Sequence, residues 1–275
     1  MAKKRRAIPN FFTIGNMMGG ILAILFALTG KIEWAPYCIF IAIIFDFFDG
    51  FMAGLLKAKS DKGKQLDSLA DIVTFGVSPG VMMFVMLQVL YPGVGSINIP
   101  LSDIYSGQGL GSNFNSIEAV SIEFIIIPYL AFIIPIFALF RLAKYNIDTK
   151  QSTSFIGVPT ATMAIFFASF PLLIKDAATS QTDFKNWVLE YIFLNPPVLL
   201  ILTVLFSVLM VVKIPLIALK FKTYKWVDNE IRYIFLGLCL ISIITLKFWS
   251  IPVIVILYIL ISLVNNMTVK SKTQK

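Results

Sequence analysis

The stretch DFFDGFMAGLLKAKSDKGKQLDSLAD, residues 46–71, sets four carboxylates, Asp46, Asp49, Asp67 and Asp71, beside some of the most apolar sequence in the chain. On a helix, side chains three or four residues apart share a face, so Asp46 pairs with Asp49 and Asp67 with Asp71. Between Leu55 and Lys64 stand Ser60, Asp61 and Gly63, which predict a break between two antiparallel helices. If one helix descends through Asp49 and the next climbs back through Asp67, both pairs meet at one end of the hairpin.

That end is predicted to lie at a membrane boundary. Of the 275 residues, 58% are hydrophobic and only 14% charged, too apolar for a soluble domain of this size. A helix needs about 20 apolar residues to cross a bilayer. Eight stretches are read as spans: Phe11–Thr29, Trp34–Leu56, Leu69–Leu90, Ile122–Phe140, Phe155–Ile174, Pro196–Leu219, Ile231–Leu246 and Ser250–Val264. Lys3, Lys4, Arg5 and Arg6 precede the first apolar run, but no small-residue cleavage site ends it, so a retained first helix is expected. The expectation is an all-α integral membrane protein in one membrane domain.

Charge supports the count. With the N-terminus inside, 19 of the 23 Lys and Arg residues fall on inner segments, leaving Lys31, Lys175, Lys185 and Lys247 outside. This bias puts both termini on the cytoplasmic side. The net charge of +8 is read as contact with anionic headgroups, including the patch from Lys213 to Arg232, and not as a nucleic-acid surface. The segments Tyr91–Val120 and Lys175–Asn195 read as outer loops or interfacial hairpins. Cys38 and Cys239 lie in apolar helices and the chain has no His, which argues against a disulfide, a zinc site or imidazole acid–base chemistry.

An Asp deep in a bilayer costs roughly 2.5–3.5 kcal/mol, and like charges in one pocket repel further. Four clustered carboxylates therefore need protons or cations. An all-oxygen donor set suits Mg²⁺, Mn²⁺ or Ca²⁺. Gly50, Ala53 and Gly54 on the second helix, with Gly63, Ser68 and Ala70 on the third, allow close approach around an ion or a phosphate. Carboxylate-held metals neutralise phosphoryl oxygens. Lys57, Lys59 and Lys64, with Arg141 and Lys144 at the inner end of the fourth span, are candidate phosphate contacts.

Asp46, Asp49, Gly50, Ala53, Gly63, Asp67 and Asp71 match in type and spacing the pattern D-x2-D-G-x2-A-R-x8-G-x3-D-x3-D, and the stretch resembles the signature of the CDP-alcohol phosphotransferase family. The stretches IPNFFTIGNMMGG, LDSLADIVTFGVSPG, RLAKYN and SFIGVPT extend the resemblance over roughly the first 170 residues. It implies a six-helix catalytic core over residues 1–220, two further helices and a basic tail over 221–275, and a homodimer in a bacterial inner membrane with its site open to the cytoplasm. It further implies that Asp46, Asp49, Asp67 and Asp71 hold two divalent cations that grip the diphosphate of CDP-diacylglycerol, with Gly50 and Ala53 leaving room for the nucleotide. Asp71 would also take the proton of L-serine as its hydroxyl attacks the β-phosphorus and CMP leaves.

The pattern's arginine is replaced by Gly54. Lys57, one turn on, is a candidate to supply the missing charge, and weakened but retained activity is expected. Gly50 and Gly54 form a G-x-x-x-G pair that would admit another helix closely. Two rival readings stand beside this one. Another acceptor alcohol, such as glycerol 3-phosphate, inositol phosphate or choline, would use the same core. A cation transporter would also carry intramembrane acids, though nearer mid-membrane and not gathered at one face.

Overall fold

The computed structural model describes residues 2–58, 60–90, 126–147, 155–179, 183–217 and 226–273. Helix α1 (Ala2–Leu28) ends in a turn with Gly30 at φ 78°, and α2 (Ala35–Leu55) runs back beside it. Small residues set how closely the two approach. A Cβ on Gly19 would lie 2.7 Å from the Cβ of Ala42.

The next rod, Asp61–Leu90, is one 30-residue apolar segment with a change of pitch inside it. It consists of α3 (Asp61–Asp71), a π-helical turn (Ile72–Val77) and α4 (Ser78–Leu90). Ser78 N–H bonds to Val73 O, one residue further back than in an α-helix. Pro79 explains the wide turn, because a proline in a regular helix lacks the bond to residue i−4 and clashes with its carbonyl. Met82, Met83 and Leu87 of α4 are fully buried, as are Phe167, Phe170 and Leu173 of α6 (Thr160–Thr179). These two helices form the centre of the core, and helices with apolar outward faces surround them. Helix α5 (Ile133–Ile147), entered through a 3₁₀ turn (Ile127–Phe132), places Pro135 against Gly76 and Gly80.

The expected fifth span is trimmed at its start and the sixth at its end. Phe155–Ile156 pairs antiparallel with Pro215–Leu216 as β1 and β2, so α6 starts only at Thr160, and α8 (Pro196–Val211) stops before Leu219. Gly157 makes this possible. Its φ is +76°, and a Cβ there would sit 2.3 Å from the carbonyl oxygen of Met210. Much of the expected outer loop Lys175–Asn195 is helical: α6 continues to Thr179, and α7 (Asp183–Val188) with a π turn (Leu189–Phe193) leads into α8 at a bend of 69°. The loop Tyr91–Val120, the first residues of the fourth span, Lys59, and the centre of the basic patch from Lys213 to Arg232 lie outside the described residues.

Six helical segments among the described residues are long and apolar enough to cross a membrane. The last, Asn229–Asn266, spans 38 residues but is folded back on itself into α9 (Trp226–Leu246) and α10 (Ser250–Thr273). The rings of Phe235 and Tyr258 stand 5.9 Å apart. In a continuous helix, 23 residues at 1.5 Å each would separate them by about 34 Å. Lys247, at φ 51°, makes the reversal. Helix α10 is tied to the strand region, where Tyr258 Oη donates to Ile217 O at 3.1 Å and Ile217 N donates to Ser262 Oγ at 3.2 Å. The protein is an all-α membrane protein apart from the two short strands.

Candidate active site

Local chemistry ends α2 and starts α3 within a few residues. Lys57 takes the left-handed conformation, its N–H bonds to Gly54 O at 3.2 Å, and Ala58 N–H bonds to Ala53 O at 3.0 Å. This bond pair is a Schellman cap. Ser60 then caps α3, accepting from Gly63 N at 3.1 Å. The hairpin so formed brings Asp46, Asp67 and Asp71 together, with one carboxylate oxygen from each lying within 4.8 Å of the others.

Asp49 falls outside this trio. It is 7% exposed, and the Thr13 hydroxyl of α1 donates to its Oδ2. One turn further along α1, Asn16 Nδ2 donates to Asp71 Oδ1 at 3.0 Å, and the Thr74 hydroxyl donates to Asn16 O at 2.9 Å. Thr74 belongs to the π turn, so the irregular segment of the rod fastens α1 against the carboxylates. A Cβ on Gly20 would meet Thr74 Cα at 2.6 Å, which explains a glycine there.

Beside the trio opens a cavity of about 360 Å³ whose walls include Asp49, Gly50, Ala53, Gly63, Lys64 and Asp67. Gly50 and Gly54 have nothing within 4 Å of where a Cβ would be. The G-x-x-x-G pair therefore packs no helix among the described residues, and its face is open. Lys64 Nζ donates to Asn146 O at 2.9 Å, and Asn146 Nδ2 donates to Ser68 Oγ at 2.9 Å, clasping α3 to the end of α5. Arg141 lies six residues before the end of α5, deeper than expected, within electrostatic reach of Asp71. Its Nη1 donates to Thr160 Oγ1 at 3.4 Å, and its buried Nε has no partner among the described residues. Lys57 and Lys144 are exposed and do not line the cavity.

The donor set can be tested against an ion. Metal–oxygen distances of about 2.0–2.6 Å put ligand oxygens up to about 5 Å apart across a hard divalent cation. Three carboxylates whose oxygens lie within 4.8 Å fit that span, and no soft ligand is among them. The sequence reading left Thr13, Asn16, Thr74 and Thr160 without a role. The available signal was Thr13 and Asn16, two polar residues three apart within the apolar first span.

An all-α membrane core with carboxylates converging at the junction of two helices defines the class. The chain belongs to the CDP-alcohol phosphatidyltransferase family, whose profile matches residues 6–209. It is 34% identical over 172 residues to CDP-diacylglycerol–serine O-phosphatidyltransferase of Bacillus subtilis (strain 168), covering 61% of this chain and 79% of that one. It is 29% identical over 223 residues to the protein of the same name from Helicobacter pylori (strain ATCC 700392 / 26695), covering 79% and 74% respectively. Archaetidylserine synthase of Methanothermobacter thermautotrophicus is 27% identical over 169 residues, covering 60% and 58%. The family match ends within α8, and α9 and α10 lie beyond it.

Proposed function

We propose that this chain transfers the phosphatidyl group of CDP-diacylglycerol to the hydroxyl of L-serine, giving phosphatidylserine and CMP. The observation that carries the reading is the convergence of Asp46, Asp67 and Asp71 beside an open cavity, in a chain similar to serine phosphatidyltransferases.

Asp46, Asp67 and Asp71, with Asp49 alongside, would hold two divalent cations, Mg²⁺ or Mn²⁺, and Ca²⁺ also suits the donors. Such cations would supply positive charge beside the diphosphate oxygens. Gly50, Ala53 and Gly63 leave the cavity wall low enough for the nucleotide. Lys64 keeps donor capacity beyond its bond to Asn146 and contacts phosphate. Arg141, whose Nε is unpaired, holds an anionic group near Asp71, and the exposed Lys57 and Lys144 draw anionic headgroups to the mouth. Asp71 accepts the serine hydroxyl proton. The serine oxygen forms the new bond to the β-phosphorus, the bond from that phosphorus to the CMP oxygen breaks, and CMP leaves. An unperturbed Asp is a weak base for an alcohol, so orientation and exclusion of water carry much of the rate.

In this reading the protein is a homodimer of a bacterial inner membrane, with site and termini cytoplasmic. Residues 1–220 are the catalytic core, and 221–275 add two helices and a basic tail. The test is CMP release by purified protein given CDP-diacylglycerol, Mn²⁺ and a panel of labelled acceptors. Serine incorporation is expected, abolished by chelator. Incorporation of glycerol 3-phosphate without serine would assign another acceptor.

A further inference from the structure

Helix α1 carries none of the clustered aspartates, yet two of its side chains hold members of the group. Asn16 is fully buried, donates to Asp71 Oδ1 at 3.0 Å, and has its own carbonyl bonded by the Thr74 hydroxyl at 2.9 Å. Thr13 is 5% exposed and donates to Asp49 Oδ2, with Pro9 O at 3.2 Å as its other neighbour. In each case one carboxylate oxygen is committed to α1, which fixes the plane of the group and leaves the other oxygen for the cluster or cavity. Asn16 is itself held at its backbone, so it is a stiff support. Its Oδ1 is buried without a partner among the described residues. A residue that only filled this space would be apolar, because a buried polar atom left without a partner costs about 1–3 kcal/mol.

We propose that Asn16 is a positioning residue that orients the Asp71 carboxylate, and that Thr13 does the same for Asp49. The inference rests on the proposed role of the aspartates. Groups that orient metal-binding side chains typically change metal affinity or activity 10–100-fold when removed.

The test measures Mn²⁺ binding to purified protein by electron paramagnetic resonance, with Tm and serine turnover alongside. Asn16→Leu, or Asn16→Ala if the leucine variant does not insert, should weaken Mn²⁺ binding about 10-fold or more and lower kcat more than the KM for serine. In an Asp71→Asn background the same change should cost no further Mn²⁺ affinity, because its effect passes through Asp71. Thr13→Val should likewise weaken binding, and the loss should vanish in an Asp49→Asn background. Mn²⁺ affinity of Asn16→Leu or Asn16→Ala within twofold of wild type, or a loss that persists without Asp71, would overturn the proposal for Asn16. Failure of the wild-type protein to bind Mn²⁺ would instead overturn the reading of the aspartates themselves.

Discussion

Replacing Gly20 with alanine tests the packing that brings α1 to the site. The added Cβ would lie 2.5 Å from Thr74 Oγ1 and 2.6 Å from Thr74 Cα, whereas ordinary contact begins at 3.4 Å. A backbone atom cannot rotate away, so α1 and the π turn must separate by about 0.8 Å, the difference between those distances. Overpacking of this kind costs about 1–3 kcal/mol. The functional cost is set by geometry: the Thr74–Asn16–Asp71 chain crosses this same contact, and a displacement near 1 Å in a catalytic arrangement can cost about 100-fold. The assay is CMP release from CDP-diacylglycerol and serine in detergent, with thermal unfolding of the same sample. Gly237→Ala on α9 is the control, because nothing lies within 4 Å of its added methyl and helix propensity alone should stabilise by about 1 kcal/mol. Gly20→Ala with activity within twofold of wild type and an unchanged Tm would refute the argument that this contact carries the site.

Gly54→Arg restores the charge of the family pattern on an open face and should lower the KM for CDP-diacylglycerol about 10-fold, the equivalent of one charge-assisted hydrogen bond; unchanged kinetics would mean the missing guanidinium is of no consequence. Trp249→Phe removes the indole bond to Asp176 Oδ2, 2.9 Å long, and should cost about 1.5–3 kcal/mol by thermal unfolding while leaving turnover at 25 °C intact. Mn²⁺ at a hundred times its Kd should stabilise the protein by about 2.7 kcal/mol, a rise in Tm that Asp67→Asn should shrink and chelator should erase.

The four aspartates and the hairpin that joins their helices were legible because a charge in an apolar helix is costly and their spacing is helical. The terminal hairpin was legible too, since Lys247 interrupts two apolar runs. Three features were not. The stretch Phe155–Ile156 reads as the head of an apolar helix, and only pairing with Pro215–Leu216, distant in sequence, makes it a strand. The π turn after Asp71 depends on how Pro79 is relieved within a packed rod, which hydrophobic periodicity does not encode. Asp49 shares a helix face with Asp46, yet its Oδ2 is turned to Thr13 on another helix, a choice that one-helix spacing cannot foresee.

Two of the acidic centres among the described residues differ in a way that indicates which one does chemistry. At the C-terminal end of α6, Asp176 Oδ2 accepts from Lys185 Nζ and from Trp249 Nε1, both at 2.9 Å, so its charge is answered by an ammonium and an indole from two neighbouring segments. Such a group is complete, and its work is to tie α7 and the α9–α10 reversal to the core. At the other end of the bundle, three carboxylates crowd within 4.8 Å with one amide donor, from Asn16, while Asn16 Oδ1 and Arg141 Nε are buried without partners. Folded chains normally satisfy buried polar groups; of the four side-chain atoms that are buried without a partner among the described residues, Asn16 Oδ1 and Arg141 Nε belong to this centre, and the others are Glu33 Oε2 and Ser78 Oγ. Thr160, sixteen residues before Asp176 on the same helix, meets Arg141, which separates the two centres by about 24 Å of helix. Substitutions around Asp176 should therefore read out in stability alone, and those around Asp71 in binding and turnover.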